Sequence, residues 1–225
     1  MNNICIYYIE YPKPSDVNKG LIEGVSMTAK LQSIGAHCVY KLVQNNVEFE
    51  NALKEAGNVL TAYDTCFIHI SSHGSPEGVG ISKDDIISWE RLTEVMKSID
   101  LEVRSKCCLC LSTCYGASAM NIGKNRWLPY YNYIVGPVRE IGWSESAMAF
   151  SLLYHLLIVE NATLQAAIKT LNTMLREYGY EMPMFTYSSA AFQNTMTRIA
   201  NPLKNASYET LYEYIKELYL KIQDK

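Results

Sequence analysis

Cys66-Phe67-Ile68-His69-Ile70-Ser71-Ser72-His73-Gly74 and Cys107-Cys108-Leu109-Cys110-Leu111-Ser112-Thr113-Cys114-Tyr115-Gly116 are the segments whose reading decides the fold. Each is a short apolar run stopped by small polar residues and a glycine, the pattern of a fully buried strand that empties into a loop. In an open α/β sheet, ligands and chemistry gather at the carboxyl ends of the strands. His73 and Cys114 occupy equivalent ends, so neighbouring strands would bring an imidazole and a thiol to one crevice.

That pairing has a definite chemistry. A thiol attacks well only as a thiolate, and a nearby histidine can take its proton and later protonate the leaving group. The small residues from Thr113 to Ala119 predict a tight turn and a helix from about Tyr115, with N-terminal amides and positive dipole facing the sulfur. The backbone N–H groups of Cys114 and Gly74 form a candidate oxyanion hole, because glycine permits the close approach a tetrahedral intermediate requires. His69, four residues before His73, falls on the same strand face but deeper, and is expected to be a core histidine.

Outward from these segments, strand and helix signals alternate. Asn3 to Ile9 reads as a first strand closed by Pro12 and Pro14, and Val17 to Ser33 as a helix ending before Gly35. A second strand (His37 to Val43), a helix (Val47 to Tyr63) and a third strand (Thr65 to Ser71) follow. Gly78 to Ser82 predicts a hairpin arm, Ser88 to Ile99 a helix, Lys106 to Ser112 a fourth strand and Asn132 to Pro137 a fifth. Ser144 is the predicted N-cap of a helix reaching Val159, on which His155 is expected to pack. Thr163 to Tyr178 is a further amphipathic helix, and Met184 to Tyr187 a sixth, edge-type strand after Pro183. Tyr208 to Ile222 predicts a terminal helix with Leu211, Ile215, Leu218 and Tyr219 on one side, covering the domain or a second copy. The expected architecture is one α/β domain over 1–225, with a core at about 3–187. It is a three-layer sandwich around a mainly parallel sheet of about six strands, and helix 207–222 packs on it.

Composition narrows the functions. The 225 residues are 48% hydrophobic and 19% charged, with net charge −3 and pI near 5.8, and no basic stripe points to nucleic acid. The N-terminal residues lack a signal-peptide pattern, and the apolar stretch from Ala147 to Val159 is too short to span a bilayer, so a cytoplasmic protein without membrane contact is expected. The cysteine count is seven, an odd number, and most lie in predicted strands as small buried hydrophobes. No disulfide framework, zinc site or cofactor is expected.

The segments Ile68 to Gly74 and Leu109 to Gly116 resemble the paired signatures of the caspase-like clan of cysteine peptidases, in which apolar runs ending in His-Gly and in Cys-x-Gly close adjacent parallel strands. The downstream runs Tyr133 to Val138, Ser146 to Leu157 and Ala166 to Ile168 are similar to the CHAT-type bacterial branch. The resemblance implies His73 as general base and acid, Cys114 as nucleophile and Gly74 as an oxyanion-hole contributor. It implies cleavage of a protein or peptide substrate through a thioester, and control by a partner protein, a small ligand or self-association, in a bacterial stress or antiviral response. Relatives that cut after basic residues carry an acid two positions before the nucleophile, where this chain has Ser112. Caspases carry Gln there and Arg after the nucleophile, where this chain has Tyr115. Neither preference carries over. Arg139, Glu140 and Trp143, with Glu77, Asp84, Asp85 and Glu145, lie near strand-end loops as pocket candidates, although charges there are ordinarily solvated.

Two other classes compete. One is a catalytically silent α/β module binding a ligand or partner, with His73 and Cys114 as remnants. The other is a flavodoxin-like or amidotransferase-like fold, which usually places cysteine before histidine, the reverse of the order here.

Overall fold

Ile4–Tyr11 (β1) is buried along almost its whole length, which requires cover on both faces of the sheet. The computed structural model describes residues 3–82, 85–125, 131–180 and 184–189. After β1 come α1 (Pro14–Asn18), α2 (Gly24–Ser33), β2 (His37–Leu42), α3 (Asn46–Val59) and β3 (Thr65–Ser72). A small antiparallel sheet follows, β4 (Gly74–Ser75), β5 (Gly78–Gly80) and β6 (Ile86–Ser88). Then come α4 (Trp89–Lys97), α5 (Leu101–Lys106), β7 (Cys107–Ser112), a 3-10 helix (Gly116–Asn125), β8 (Tyr133–Pro137), α6 (Trp143–Tyr154), α7 (Leu164–Glu177) and β9 (Phe185–Ser189). The main sheet has six strands in the order β2-β1-β3-β7-β8-β9. All its pairings are parallel except β8 with β9.

Strand alternation sorts the core into two layers. Tyr7, Ile9, Ile68, Ile70, Leu109 and Leu111 meet Phe49 and Leu53 of α3 and Leu92 and Met96 of α4. Tyr8, Phe67, Cys110 and Val135 meet Leu31 of α2, Phe150 and Leu153 of α6, and Leu171 of α7. This is the expected three-layer sandwich. The helix starts are capped by side chains: Asn45 accepts from Glu48 N at 2.9 Å, Ser88 from Arg91 N at 3.1 Å and Thr163 from Ala166 N at 3.2 Å. Each such cap contributes about 1 kcal/mol.

The structure corrects several sequence expectations. The single helix expected over Val17 to Ser33 is two, separated by Gly20 at φ +69°; this left-handed residue ends α1, and Leu21 and Val25 stay exposed while Met27 and Leu31 are buried. Ser144 is not the N-cap of α6, because Gly142 holds that position and the helix begins at Trp143. His155 is not a packing residue: it follows α6 in a widened turn, exposed, with Nε2 3.4 Å from Glu160. Val47 is likewise solvent-facing. The segment expected as a helix from Tyr115 is the 3-10 helix beginning at Gly116. All seven cysteines are free thiols. The expected terminal helix, 207–222, lies outside the described residues, and no described helix is long and apolar enough to cross a membrane.

His69 is fully buried, stacked on Tyr8 with centroids 4.2 Å apart, and its Nδ1 pairs with Tyr154 Oη at 2.9 Å. Burial pushes its pKa down to about 3, so the folded protein keeps it neutral while the unfolded chain protonates it near pH 6.5. Its contribution to stability is therefore complete above about pH 6.5 and is lost progressively as pH falls towards 3, at up to about 1.4 kcal/mol per pH unit. Denaturant titrations from pH 7 to 4 should show that slope, and His69→Gln should flatten it.

Candidate active site

The parallel register places the carboxyl ends of β1, β3, β7 and β8 side by side, so the loops that follow them form one edge. His73 follows β3, and Cys114 follows β7, the adjacent strand. The contact between the two loops is close. A Cβ built on Gly74 would overlap Thr113 Oγ1 and the Cys114 carbonyl oxygen, with Cys114 N at 3.2 Å. Only glycine lets the histidine loop sit this near the cysteine turn. Gly80 N donates to the His73 carbonyl at 3.1 Å. Because bonded and non-bonded pairs alternate along an antiparallel ladder, Gly74, opposite Val79, turns its N–H away from β5.

The Cys114 turn is held from the other side by the loop after β8. Tyr115 N donates to the Arg139 carbonyl at 3.1 Å and Gly116 N to the Thr113 carbonyl at 3.1 Å. These bonds support Tyr115 at φ +57°, a left-handed conformation costing a non-glycine residue roughly 1–2 kcal/mol. The Cys114 thiol donates to the Ile141 carbonyl at 3.6 Å. Trp143, half-buried at the start of α6, lies with its ring centroid 6.2 Å from that of His73.

The sequence reading missed the partner of His73. His73 Nε2 lies 2.7 Å from Asp16 Oδ2, and this hydrogen bond, partly opposed by desolvation, holds the Asp16 carboxyl below its ordinary value. A neutral His73 that donates Nε2–H to Asp16 keeps Nδ1 as a proton acceptor. Asp16 lies in α1, the short helix that follows β1, and β1 borders β3. Strand order, not residue spacing, brings it there.

Two buried acids behind the edge were also missed. Glu10 Oε1 accepts from Glu23 N at 2.7 Å, and Glu10 Oε2 from Gly24 N at 3.0 Å and Tyr40 Oη at 2.6 Å. This places a carboxylate on the free amides at the start of α2. Glu23 Oε1 accepts from Tyr8 Oη at 2.7 Å, Ser71 Oγ at 2.9 Å and Ser112 Oγ at 3.3 Å, and burial pushes its pKa up. Ser112 also pairs with Ser146 Oγ at 2.7 Å. The hydroxyl two positions before Cys114 is thus buried and joins β7 to α2 and α6.

Of the other pocket candidates, Arg139 and Glu140 are exposed and Tyr115 is half-buried. Arg139 places its guanidinium 5.3 Å from the Tyr180 ring centroid. Glu77 is exposed, Asp85 and Glu145 are half-buried, and Asp84 lies outside the described residues. Among the described residues, no group of three His, Cys, Asp or Glu side chains is placed to hold a metal.

A six-stranded, mainly parallel sheet between helices, with histidine and cysteine loops on adjacent strands, is the caspase-like α/β fold. The chain belongs to the peptidase C13 family, whose model matches residues 8–127. No curated protein matches the sequence. Among solved structures the chain is similar to the Drosophila initiator caspase Dronc, with TM-score 0.64 and 9% identity over 85% of this chain and 81% of that one. It is also similar to a secreted C11 cysteine protease from Bacteroides thetaiotaomicron, with TM-score 0.60 and 9% identity over 91% and 71%. Caspase-1 from Spodoptera frugiperda aligns with TM-score 0.59 and 9% identity over 84% and 88%. At these identities the likeness is one of fold.

Proposed function

We propose that this chain is a cysteine endopeptidase in which Cys114 attacks the scissile carbonyl, His73 moves the proton and Asp16 positions His73. Carrying this reading is the packing of Gly74 against the Cys114 turn, together with the His73–Asp16 hydrogen bond. In the first half-reaction His73 Nδ1 takes the thiol proton and the sulfur forms a tetrahedral adduct. The N–H groups of Gly74 and Cys114 receive its oxyanion. Collapse to the thioester expels the amine, which His73 protonates, and water then attacks with His73 again as base.

The resting thiol donates to the Ile141 carbonyl at 3.6 Å, an arrangement available to the neutral group and repulsive to a thiolate. It supports a regulated enzyme whose sulfur turns from Ile141 towards His73 when a substrate or activator binds. Membership of a bacterial stress or antiviral response, with an activating partner or ligand, is the finer form of this reading, and rests on the CHAT-type resemblance. Alkylation by iodoacetamide with mass-spectrometric mapping, and turnover of a peptide panel, both against Cys114→Ala, test the assignment. Equal turnover by both proteins removes it. Alkylation of Cys114 at the rate of a model thiol, unchanged in His73→Ala, favours the silent module.

Asp16 gives a further expectation. Asp16→Ala frees the imidazole to rotate and should lower kcat/KM by about 10²-fold, the lower end of what positioned proton transfer supplies. Asp16→Asn, whose amide oxygen still accepts Nε2–H, should recover most of it. Since the folded-state pKa of Asp16 is depressed, its hold on His73 is present above the ordinary carboxylate range and is lost as pH falls through the depressed value. The difference between wild type and Asp16→Ala in kcat/KM should therefore narrow in acid.

A further inference from the structure

A cavity of about 220 Å³ opens on the side of His73 that faces the small sheet, lined by Lys13, His73, Ser75, Gly78, Gly80 and Ser82 among others. Cys114 is not part of its wall. If the peptidase reading holds, the acyl half of the substrate stays on the sulfur and the amine half departs past the imidazole that protonates it. The first side chain of the leaving half then meets this cavity. We propose that the cavity is the leaving-side subsite and that Lys13 makes it select an acidic side chain.

Three features carry this. The volume accommodates one side chain. Lys13 is half-buried and forms no ion pair with any described residue, whereas Asp16 beside it is engaged by His73 at 2.7 Å. Its carbonyl is fixed by Asp16 N at 2.9 Å and Val17 N at 3.2 Å, so the stem leaves from a defined point at the start of α1, and the ammonium, near enough to Asp16 to help hold that carboxyl low, sits beside the cavity. Ser75 adds a hydroxyl: its Oγ accepts from Glu77 N at 3.2 Å and retains its proton to donate. The Ser82 hydroxyl donates to Asp85 Oδ2 at 3.4 Å, and Glu77, next to the wall, is exposed. With Asp16 paired, an incoming carboxylate finds one ammonium and one free hydroxyl, a charge-assisted arrangement stronger than a neutral contact.

Subsite and peptidase readings fail separately when affinity and turnover are measured apart. Fluorescent peptides that begin with Asp, Glu, Ala or Lys, standing for the leaving half, are titrated by anisotropy into Cys114→Ala protein. Acid-first peptides should bind at least about 10-fold more tightly than Lys-first peptides, and Lys13→Glu in the same background should reverse the order while Lys13→Met levels it. Equal affinities, or an order untouched by Lys13→Glu, overturn the subsite. Quenched substrates varied at the same position should show the ranking in kcat/KM with the wild type, again reversed by Lys13→Glu. Acid-selective binding that follows Lys13 without any Cys114-dependent turnover upholds the cavity as a site for acidic side chains and removes its leaving-side role together with the peptidase reading.

Discussion

Cys114→Ala is expected to abolish turnover of every peptide the wild-type protein cleaves, a loss of at least about 10⁴-fold. Removing the nucleophile of a covalent mechanism leaves only the contribution of binding and oxyanion stabilisation, and losses near 10⁶ are known for such groups. Fold and site are otherwise retained, because the turn around Cys114 is built from main-chain bonds, Tyr115 N to Arg139 O and Gly116 N to Thr113 O, that alanine preserves. The melting temperature should consequently stay within a few degrees of wild type, as expected for loss of one half-buried contact of about 1 kcal/mol or less. Steady-state assays and a thermal melt on the same preparations check both parts. A large fall in melting temperature would mean the thiol has a structural duty that this geometry does not explain.

Gly74→Ala is expected to lower kcat/KM by about 10²-fold or more while the protein still folds. The added methyl falls on Thr113 Oγ1 and on the Cys114 carbonyl oxygen. The hydroxyl can rotate away but the carbonyl cannot, since it belongs to a turn tied on both sides. Relief has to come from separation of the His73 and Cys114 loops, and a displacement near 1 Å between reacting groups costs about 10²-fold in rate. Overpacking of this kind also destabilises by about 1–3 kcal/mol, so activity and chemical denaturation should be measured together. Unchanged kcat/KM in Gly74→Ala would show that the loops do not touch in the working protein.

These expectations rest on features that differ in how openly the sequence displays them. The strand-end positions of His73 and Cys114 were legible because buried parallel strands are continuous apolar runs, and Ser71-Ser72 and Ser112-Thr113 mark where each stops. Pairing of β3 with β7 follows from their succession. Asp16 was not legible: it is one acid in the short helix after the first strand, and its meeting with His73 depends on β1 lying beside β3, an order no local pattern states. Glu10 ends an apolar strand, where a charge looks like a solvent-facing residue, until Tyr40 and the start of α2 are seen to enclose it. The break at Gly20 was hidden because Leu21 and Val25 continue a helical spacing while facing water. His155 misled for the opposite reason, since the apolar residues around it suggested burial and the widened turn after α6 carries it outward.

The residues of the site arrive from the connections after β1, β3, β7 and β8, spread from Asp16 to Ile141. No stretch short enough to fold locally contains more than one of Asp16, His73 and Cys114. A chain still emerging from the ribosome therefore lacks a formed cleft until β8 has docked, and contacts of this sequence range form late. Until then any chemistry that needs Asp16, His73 and Cys114 in one place is absent from the growing chain, and it stays absent from fragments that stop short of β7.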